Sequence, residues 1–497
     1  MAVLSDTEPK KVFHFFEEIC GIPHGSGDTW KISNYLVSFA KERGLACRQD
    51  ELGNVVIKKD GTKGYEQAPV VMLQGHMDMV CEKESGCDID FQTQGLRLVK
   101  EGNVIHAEGT TLGGDDGIAV AFALAILDSD DILHPPLEVV ITVDEEIGML
   151  GASYLDTSDL QAEYMLNLDS EDEGQLLVGC AGGVTAVCHM PVSRMEISEL
   201  FKEGIHHPVC LELVVDGLQG GHSGMEIIKQ RGNANKLIGR ALKVISEHAD
   251  IRLVDIDGGK KDNAIARYAK AMFVADKDCV SGIETCVDEL QKILSKEYAV
   301  SDPAVCVSLR KVSAGQKVTC MTKASGCAIV DLLFLLPNGI CRMSNDIPGL
   351  VQTSLNLGVL SMKNEAHGTE ELVAGFSVRS SIGSEKDMLT GELRCLCEHL
   401  GGVYTEKGAY PAWEYKEKSK LRDIMVSTYE ELYGEKPKLD VIHAGVECGL
   451  FTDKMKGLDC VSYGPQMYDI HTPKECLHID SVRRTWEYTL AILKKLK

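Results

Sequence analysis

Apolar residues recur at helical spacing over residues 13–22 and 30–43, then give way to short β-rich runs at 54–58 and 69–73. An alanine-rich apolar run at 118–127 opens just after Gly117, as a buried helix does, and the continuous run at 137–143 suits a central parallel strand. Residues 164–168 form another such strand. This βαβ rhythm predicts a mostly parallel sheet with helices on both faces. From about 185 to 402 the pattern changes: strand-like runs at 210–215 and 328–335 mix with helices at 234–248 and 283–294. From 404 onward the βα pattern resumes, with a helix at 421–433 and a closing helix at 482–496. The expected organisation is therefore one α/β domain, residues 1–184 and 403–497, interrupted by an inserted α+β domain at 185–402.

At 497 residues the chain exceeds one ordinary core, and its apolar content fills two without disulfide staples. The formal charge of −24 argues against nucleic acid or an anionic membrane surface as partner. The 18 cysteines are scattered, with no Cys-x-x-Cys pair and no signal peptide, which suits reduced thiols in a cytoplasmic protein. Cys395 and Cys397 fall in an amphipathic helical pattern as free thiols. The apolar run at 329–337 is too short to span a bilayer.

The candidate chemistry sits at the ends of the β-rich runs. His76 and Asp78 are two apart, so at a strand end they point to the same side. Asp115 and Asp116 lie in the glycine-rich turn Thr111-Leu-Gly-Gly-Asp-Asp-Gly-Ile that opens a helix, Glu145 and Glu146 follow the strand at 137–143, and Asp169 follows 164–168. In an open α/β sheet the carboxyl ends of the strands line one crevice, so these side chains should converge. Bunching so many carboxylates without a cation raises their pKa values and costs stability; a pair of divalent metals is the natural compensation. Mixed imidazole and carboxylate ligands suit zinc, with manganese or cobalt as alternatives. A two-metal hydrolase needs a bridging carboxylate, terminal ligands and one free carboxylate as base, and the adjacent pair Glu145–Glu146 can supply one ligand and one base.

In order along the chain, Gly75-His-Met-Asp, Gly114-Asp-Asp-Gly, Asp144-Glu-Glu-Ile-Gly, Leu168-Asp and Gly464-Pro followed by His471-Thr-Pro-Lys-Glu resemble the motifs of the co-catalytic aminopeptidases and deacylases that include peptidase T, carnosinase and carboxypeptidase G. Gly220-Gly-His-Ser-Gly, Asn233-Ala-Asn-Lys, Val351-Gln-Thr-Ser-Leu-Asn-Leu-Gly and Ile442-His-Ala-Gly-Val-Glu-Cys-Gly resemble most the bacterial aminoacyl-histidine, or cytosolic non-specific, dipeptidases within that family.

The resemblance implies roles. Asp115 would bridge two metals and be joined to Asp116 by a cis peptide. His76, Glu146, Asp169 and His471 would be the terminal ligands, with the pairing to each metal left open, and His471 is preferred over His478, which is expected at the surface. Asp78 would orient His76 from behind, and Glu145 would be the general base on a metal-bridging water. The inserted segment resembles a lid and dimerisation domain, whose His222 would donate a hydrogen bond to the tetrahedral oxyanion. Asn263, Arg267, Asn356 and Arg379 resemble substrate contacts, Arg379 as the clamp on the substrate carboxylate; the family's usual proline is Ala266 here. Glu447 either holds the substrate's free amine or is an acid at a helix N-terminus. The expected activity is hydrolysis of dipeptides, Xaa-His and broader, with β-Ala-His a candidate, by a homodimer joined through the lid. The rivals are an N-acyl amino acid deacylase and an inactive peptide-binding scaffold.

Overall fold

A computed structural model describes residues 3–313, 319–364 and 370–497. The chain divides into two compact units. The first is Met1–Cys180, Trp413–Val441 and Val446–Lys497; the second is Ala181–Ala412 and Ile442–Gly445.

The first unit is built on an eight-stranded sheet. Its centre is parallel: β1 (Val71–His76) lies between β2 (Leu137–Thr142) and β3 (Tyr164–Asn167), and the strand Asp459–Ser462 continues the parallel run beyond β3. Antiparallel strands Ala46–Gln49 and Val55–Lys59 extend the β2 side. All of β1 and β2 is buried, which accounts for their apolar runs. Helix α1 (Gly114–Leu127) is buried along its whole length, and its alanines let it approach the sheet closely. A Cβ at Gly75 on β1 would lie 2.5 Å from Asp116 Oδ2 and 2.7 Å from the Ala119 methyl carbon, so only glycine fits where strand and helix meet.

The second unit carries a nine-stranded sheet: Gly339–Met343 pairs with Val351–Asn364 off the main path, which holds eight strands. In chain order they are β4 (Gly182–Val192), β5 (Pro208–Asp216), β6 (Arg252–Gly258), β7 (Ala269–Asp276), β8 (Cys306–Val312), β9 (Val351–Asn364), β10 (Glu370–Ser380) and β11 (Val403–Tyr410). Across the sheet the order is β8-β5-β7-β6-β9-β10-β4-β11, every neighbour antiparallel. Four helices complete the connectivity: α2 (Ala234–His248), α3 (Val280–Glu297), α4 (Lys323–Leu335) and α5 (Gly383–His399).

Read along the chain, β5-α2-β6-β7-α3-β8 is a β-α-β-β-α-β module of the ferredoxin-like kind, and β4-α4-β9-β10-α5-β11 is a second, with the first inserted between β4 and α4. The two meet through their second strands, Gly258 pairing with Leu360. Side chains seal the junction: Asn233 Nδ2 and Asn235 Nδ2 each donate to the Leu357 carbonyl at 3.0 Å.

Two local expectations change. The apolar run at 328–335 is helix, the C-terminal part of α4. Its buried positions Gly326, Ile329, Val330, Leu332 and Leu333 follow the helical period, and the Thr322 side chain caps the start by accepting from the Ser325 N–H. Residues 403–410, read as part of the returning βα segment, form β11 and pair with β4, so the chain leaves the second unit only after Ala412. All 18 cysteines are free thiols, Cys395 exposed and Cys397 buried on α5. Among the described residues no helix is long and apolar enough to cross a membrane.

Candidate active site

In the first unit the ends of β1, β2 and β3 and the start of α1 bring together His76, Asp78, Asp115, Asp116, Glu145, Glu146 and Asp169, and a loop from the C-terminal segment adds His471. His76 Nε2 lies 3.1 Å from Asp115 Oδ1 and 3.9 Å from Asp169 Oδ1. On the other side of the same carboxylate, His471 Nε2 lies 3.1 Å from Asp115 Oδ2 and 2.8 Å from Glu146 Oε1. The distances thus group His76 with Asp169 and His471 with Glu146, and Asp115 stands between the two groups. The Asp115–Asp116 peptide is cis.

Asp78 serves two neighbours. Its backbone carbonyl and its Oδ1 face His76 Nδ1 at 2.9 and 3.3 Å, fixing the ring so that Nε2 points at Asp115. Its carboxylate also accepts the backbone N–H of Glu145 at 3.0 Å and the Ser26 hydroxyl at 2.8 Å. The Glu145–Glu146 pair sits on a tight turn after β2, where Asp144 holds a left-handed φ of 54° and accepts the Gly27 N–H at 2.7 Å.

The electrostatics are those of a site short of positive charge. Burial, then the neighbouring Asp116, push Asp169 well above the carboxylate range; burial does the same to Asp116, with Asp115 adding to it. Glu145 is raised to about 8 by burial and by Glu447, Glu146 and Asp115. Asp115 goes the other way: burial opposes ionisation, but hydrogen bonds from His471 and His76 hold it below its ordinary value. His471 is pushed up to about 10 by Asp115 and Glu146, and the carboxylates of Asp115 and Asp78 raise His76 against the effect of its burial.

The donor set fits divalent metals. One ligand atom each from His76, Asp115 and Glu146 lie within 4.8 Å of one another, as do atoms from His76, Asp116 and Asp169. Among the described residues Asp116 Oδ1 is buried without a hydrogen-bond partner, while Oδ2 accepts the His76 N–H at 3.2 Å. Imidazole and carboxylate donors at this spacing are what zinc and its neighbours take.

Glu447 is fully buried at the first position of the helix Glu447–Lys454, tied to Gln74 Nε2 and the Thr142 hydroxyl. Burial pushes it up to about 7. It stands at the N-terminus of that helix, and among the described residues its second oxygen, Oε1, has no hydrogen-bond partner. His478 caps the last helix, Ile479–Lys495, by accepting the Ser481 N–H, and is half-buried rather than on the surface.

The second unit gathers the remaining candidates. Gly221–His222 pairs with Ala264–Ile265, and the Asn263 carbonyl accepts the Ser223 N–H at 2.8 Å, so His222 and Asn263 share one corner. Asn356 is buried with its amide engaged: Nδ2 donates to the carbonyls of Asp262 and Ala264, and Oδ1 accepts from Asn233. It therefore holds the loop that carries Asn263. Arg379 is buried and donates to the Tyr410 hydroxyl at 3.0 Å, and its Nε has no partner among the described residues. Arg267 is exposed, with its stem packed over Gly220. Ala266 is buried, and its carbonyl accepts the Ala234 N–H.

Sequence reasoning assigned no role to Asp116 among the ligand atoms or to His443. His443 Nε2 meets the Ser354 hydroxyl at 2.8 Å, its Nδ1 is buried with no partner among the described residues, and burial and Arg379 lower its pKa to about 3. The same two causes lower His222. The only signal for His443 was its place beside Ala444-Gly445; its approach to Ser354 is a tertiary contact.

Fold and cluster define the class, a metallopeptidase of mixed α/β architecture, and the chain belongs to peptidase family M20/M25/M40, whose profile matches residues 72–495. Over 496 residues, 100% of this chain and 99% of the relative, it is 37% identical to the cytosol non-specific dipeptidase of Escherichia coli (strain K12). It matches the crystal structure of aminoacylhistidine dipeptidase from Vibrio alginolyticus with a TM-score of 0.90 at 36% identity, covering 99% of this chain and 98% of that one. Aminopeptidase PepT from Bacillus cereus, 14% identical, shares the fold, with a TM-score of 0.58 over 99% of both chains.

Proposed function

We propose that this enzyme hydrolyses dipeptides, Xaa-His among them, using two divalent ions, zinc by donor type. The observation that carries the reading is the arrangement of His76 with Asp169 and His471 with Glu146 on either side of Asp115, with Glu145 beside them. The E. coli and Vibrio relatives, named for dipeptides and aminoacylhistidine, support the substrate class.

In this reading His76, Asp115, Glu146, Asp169 and His471 would hold the ions, with Asp115 standing between the two groups. When bound, the ions supply Lewis-acid polarisation of the scissile carbonyl and lower the pKa of a water. Glu145 takes the proton from the attacking water and returns it to the departing amine. Asp78 keeps Glu145 and the His76 ring in register. His222, held neutral by burial and Arg379, donates a hydrogen bond to the developing oxyanion. Arg379 receives the substrate carboxylate, and Asn263 and Arg267, from the same unit, are further substrate contacts. Cytoplasmic residence and homodimerisation through that unit belong to the same proposal.

The test is a panel of dipeptides, including Xaa-His and β-Ala-His, beside N-acyl amino acids, run on metal-stripped protein reconstituted with zinc, manganese or cobalt. Hydrolysis that requires a free substrate amine is expected. Activity on N-acyl amino acids alone would overturn the reading. Glu145→Gln should abolish turnover while metal content stays near that of the wild type.

A further inference from the structure

Helix α1 starts on a kinked turn, with Asp115 (ψ 103°) and Asp116 (ψ 32°) outside helical geometry, and has no side-chain cap of its own. Its N-cap is Gly113, in the left-handed region at φ 65°, which has no side chain to satisfy the first N–H groups of the helix. The acceptor comes instead from a loop more than 350 residues away: Glu475 Oε2 accepts the Leu112 N–H at 2.9 Å and Oε1 the Gly114 N–H at 2.8 Å. Glu475 is 2% exposed, and among the described residues no Lys, Arg or His forms an ion pair with it. Its hydrogen-bond partners are backbone N–H groups of the turn that opens α1.

The two segments it joins are those that bear Asp115 and His471. Glu475 is bound into its own loop through its N–H to the Thr472 carbonyl at 3.0 Å, while the Thr472 hydroxyl donates to the Asp469 carbonyl at 2.7 Å. Within that loop His471 itself sits at φ 61°, a backbone conformation that persists in a non-glycine residue only when its surroundings enforce it. The fit is close. A Cβ at Gly114 would lie 3.3 Å from Glu475 Oε1 and 3.1 Å from Met467 Sδ, so both segments are pressed together at a position where a side chain strains the contact.

We propose that Glu475 is a positioning residue that locks the His471 loop onto the Asp115 turn, so that ligands of both metal positions are presented as one rigid set. The inference rests on the metal-ligand reading of Asp115 and His471. Glu475 touches neither substrate nor metal in this account; it acts through the two ligands.

The experiment compares full-length wild type, Glu475→Gln and Glu475→Ala for zinc and cobalt affinity by competition with a chromophoric chelator. It adds the visible spectrum of the cobalt-loaded protein and the Tm of each metal-free form. Loss of the carboxylate is expected to weaken metal affinity about tenfold or more, in the range seen when partners behind metal ligands are removed. The cobalt spectrum should change, and the rise in Tm on adding metal should shrink. Wild-type affinity and spectrum in a folded Glu475→Gln protein would overturn the inference. Should both variants fail to fold, Gly114→Ala serves in their place: it keeps the carboxylate and displaces the turn from it, and unchanged metal affinity there overturns the inference equally. If the wild type itself binds fewer than two metals per chain, the metal-ligand reading fails, an outcome distinct from failure of the Glu475 link alone.

Discussion

Asp78 Oδ1 accepts the backbone N–H of Glu145 at 3.0 Å, so one buried carboxylate fixes the candidate base as well as the His76 ring. Asp78→Ala removes the acceptor for Glu145 while the Asp78 carbonyl still faces His76 Nδ1 at 2.9 Å. Turnover should therefore fall further than metal affinity, by about 10- to 100-fold against a smaller loss in binding. Parallel measurement of kcat and metal affinity checks this, and equal losses in both would count against the dual role.

Stripping divalent ions leaves the carboxylates of Asp115, Asp116, Glu146 and Asp169 crowded around two imidazoles. Thermal scans should show a lower Tm for the chelated protein and full recovery on adding zinc, since a ligand at about a thousand times its Kd adds roughly 4 kcal/mol of stability. In a His76→Ala/Asp115→Ala double variant the zinc-induced rise should vanish. A rise that survives there would mean that the metal binds elsewhere.

His443 carries a pH signature. Burial first, and Arg379 second, depress its pKa from 6.5 to about 3, so the fold holds the neutral ring. The stability this contributes is complete above about 6.5 and is lost as pH falls through that value toward about 3. Tm measured from neutral pH down to pH about 4 should decline on this account, and His443→Gln should flatten the decline. An unchanged slope would remove His443 as the cause.

Among the described residues Arg379 has a buried Nε with no partner, and it donates to the Tyr410 hydroxyl. As the clamp on a substrate carboxylate it predicts a KM effect: Arg379→Ala should raise KM for a dipeptide by about 10- to 100-fold, the worth of a hydrogen bond to a charged group. The matching dipeptide amide should be nearly indifferent to the substitution. Equal effects on acid and amide would assign Arg379 a purely structural part.

What could be read from the chain beforehand was what is local. His76 and Asp78 share a side because strands alternate, and Glu145 and Asp169 converge on them because each follows a strand of the parallel centre, while the Asp115 turn opens the helix α1. The run at 328–335 misled because a short, nearly all-apolar stretch has no visible period, and its cap at Thr322 lies six residues earlier. The grouping of His471 with Glu146, the Asn233 to Asn356 bond and the His443 to Ser354 contact join residues far apart in sequence, which spacing alone does not reveal. The nesting of one module within another was hidden for the same reason: strand order in the second unit depends on which edges meet.

That nesting has a consequence for how the candidate substrate contacts are inherited. His222, Asn263 and Arg267 lie in the inner β-α-β-β-α-β module, Asn356 and Arg379 in the outer one, and the two modules, which meet at the Gly258 and Leu360 pairing, belong to one polypeptide. Such a fused pair does not come apart on dilution. Its halves are also free to diverge, each keeping a different part of the task, as two identical subunits encoded by a single sequence are not.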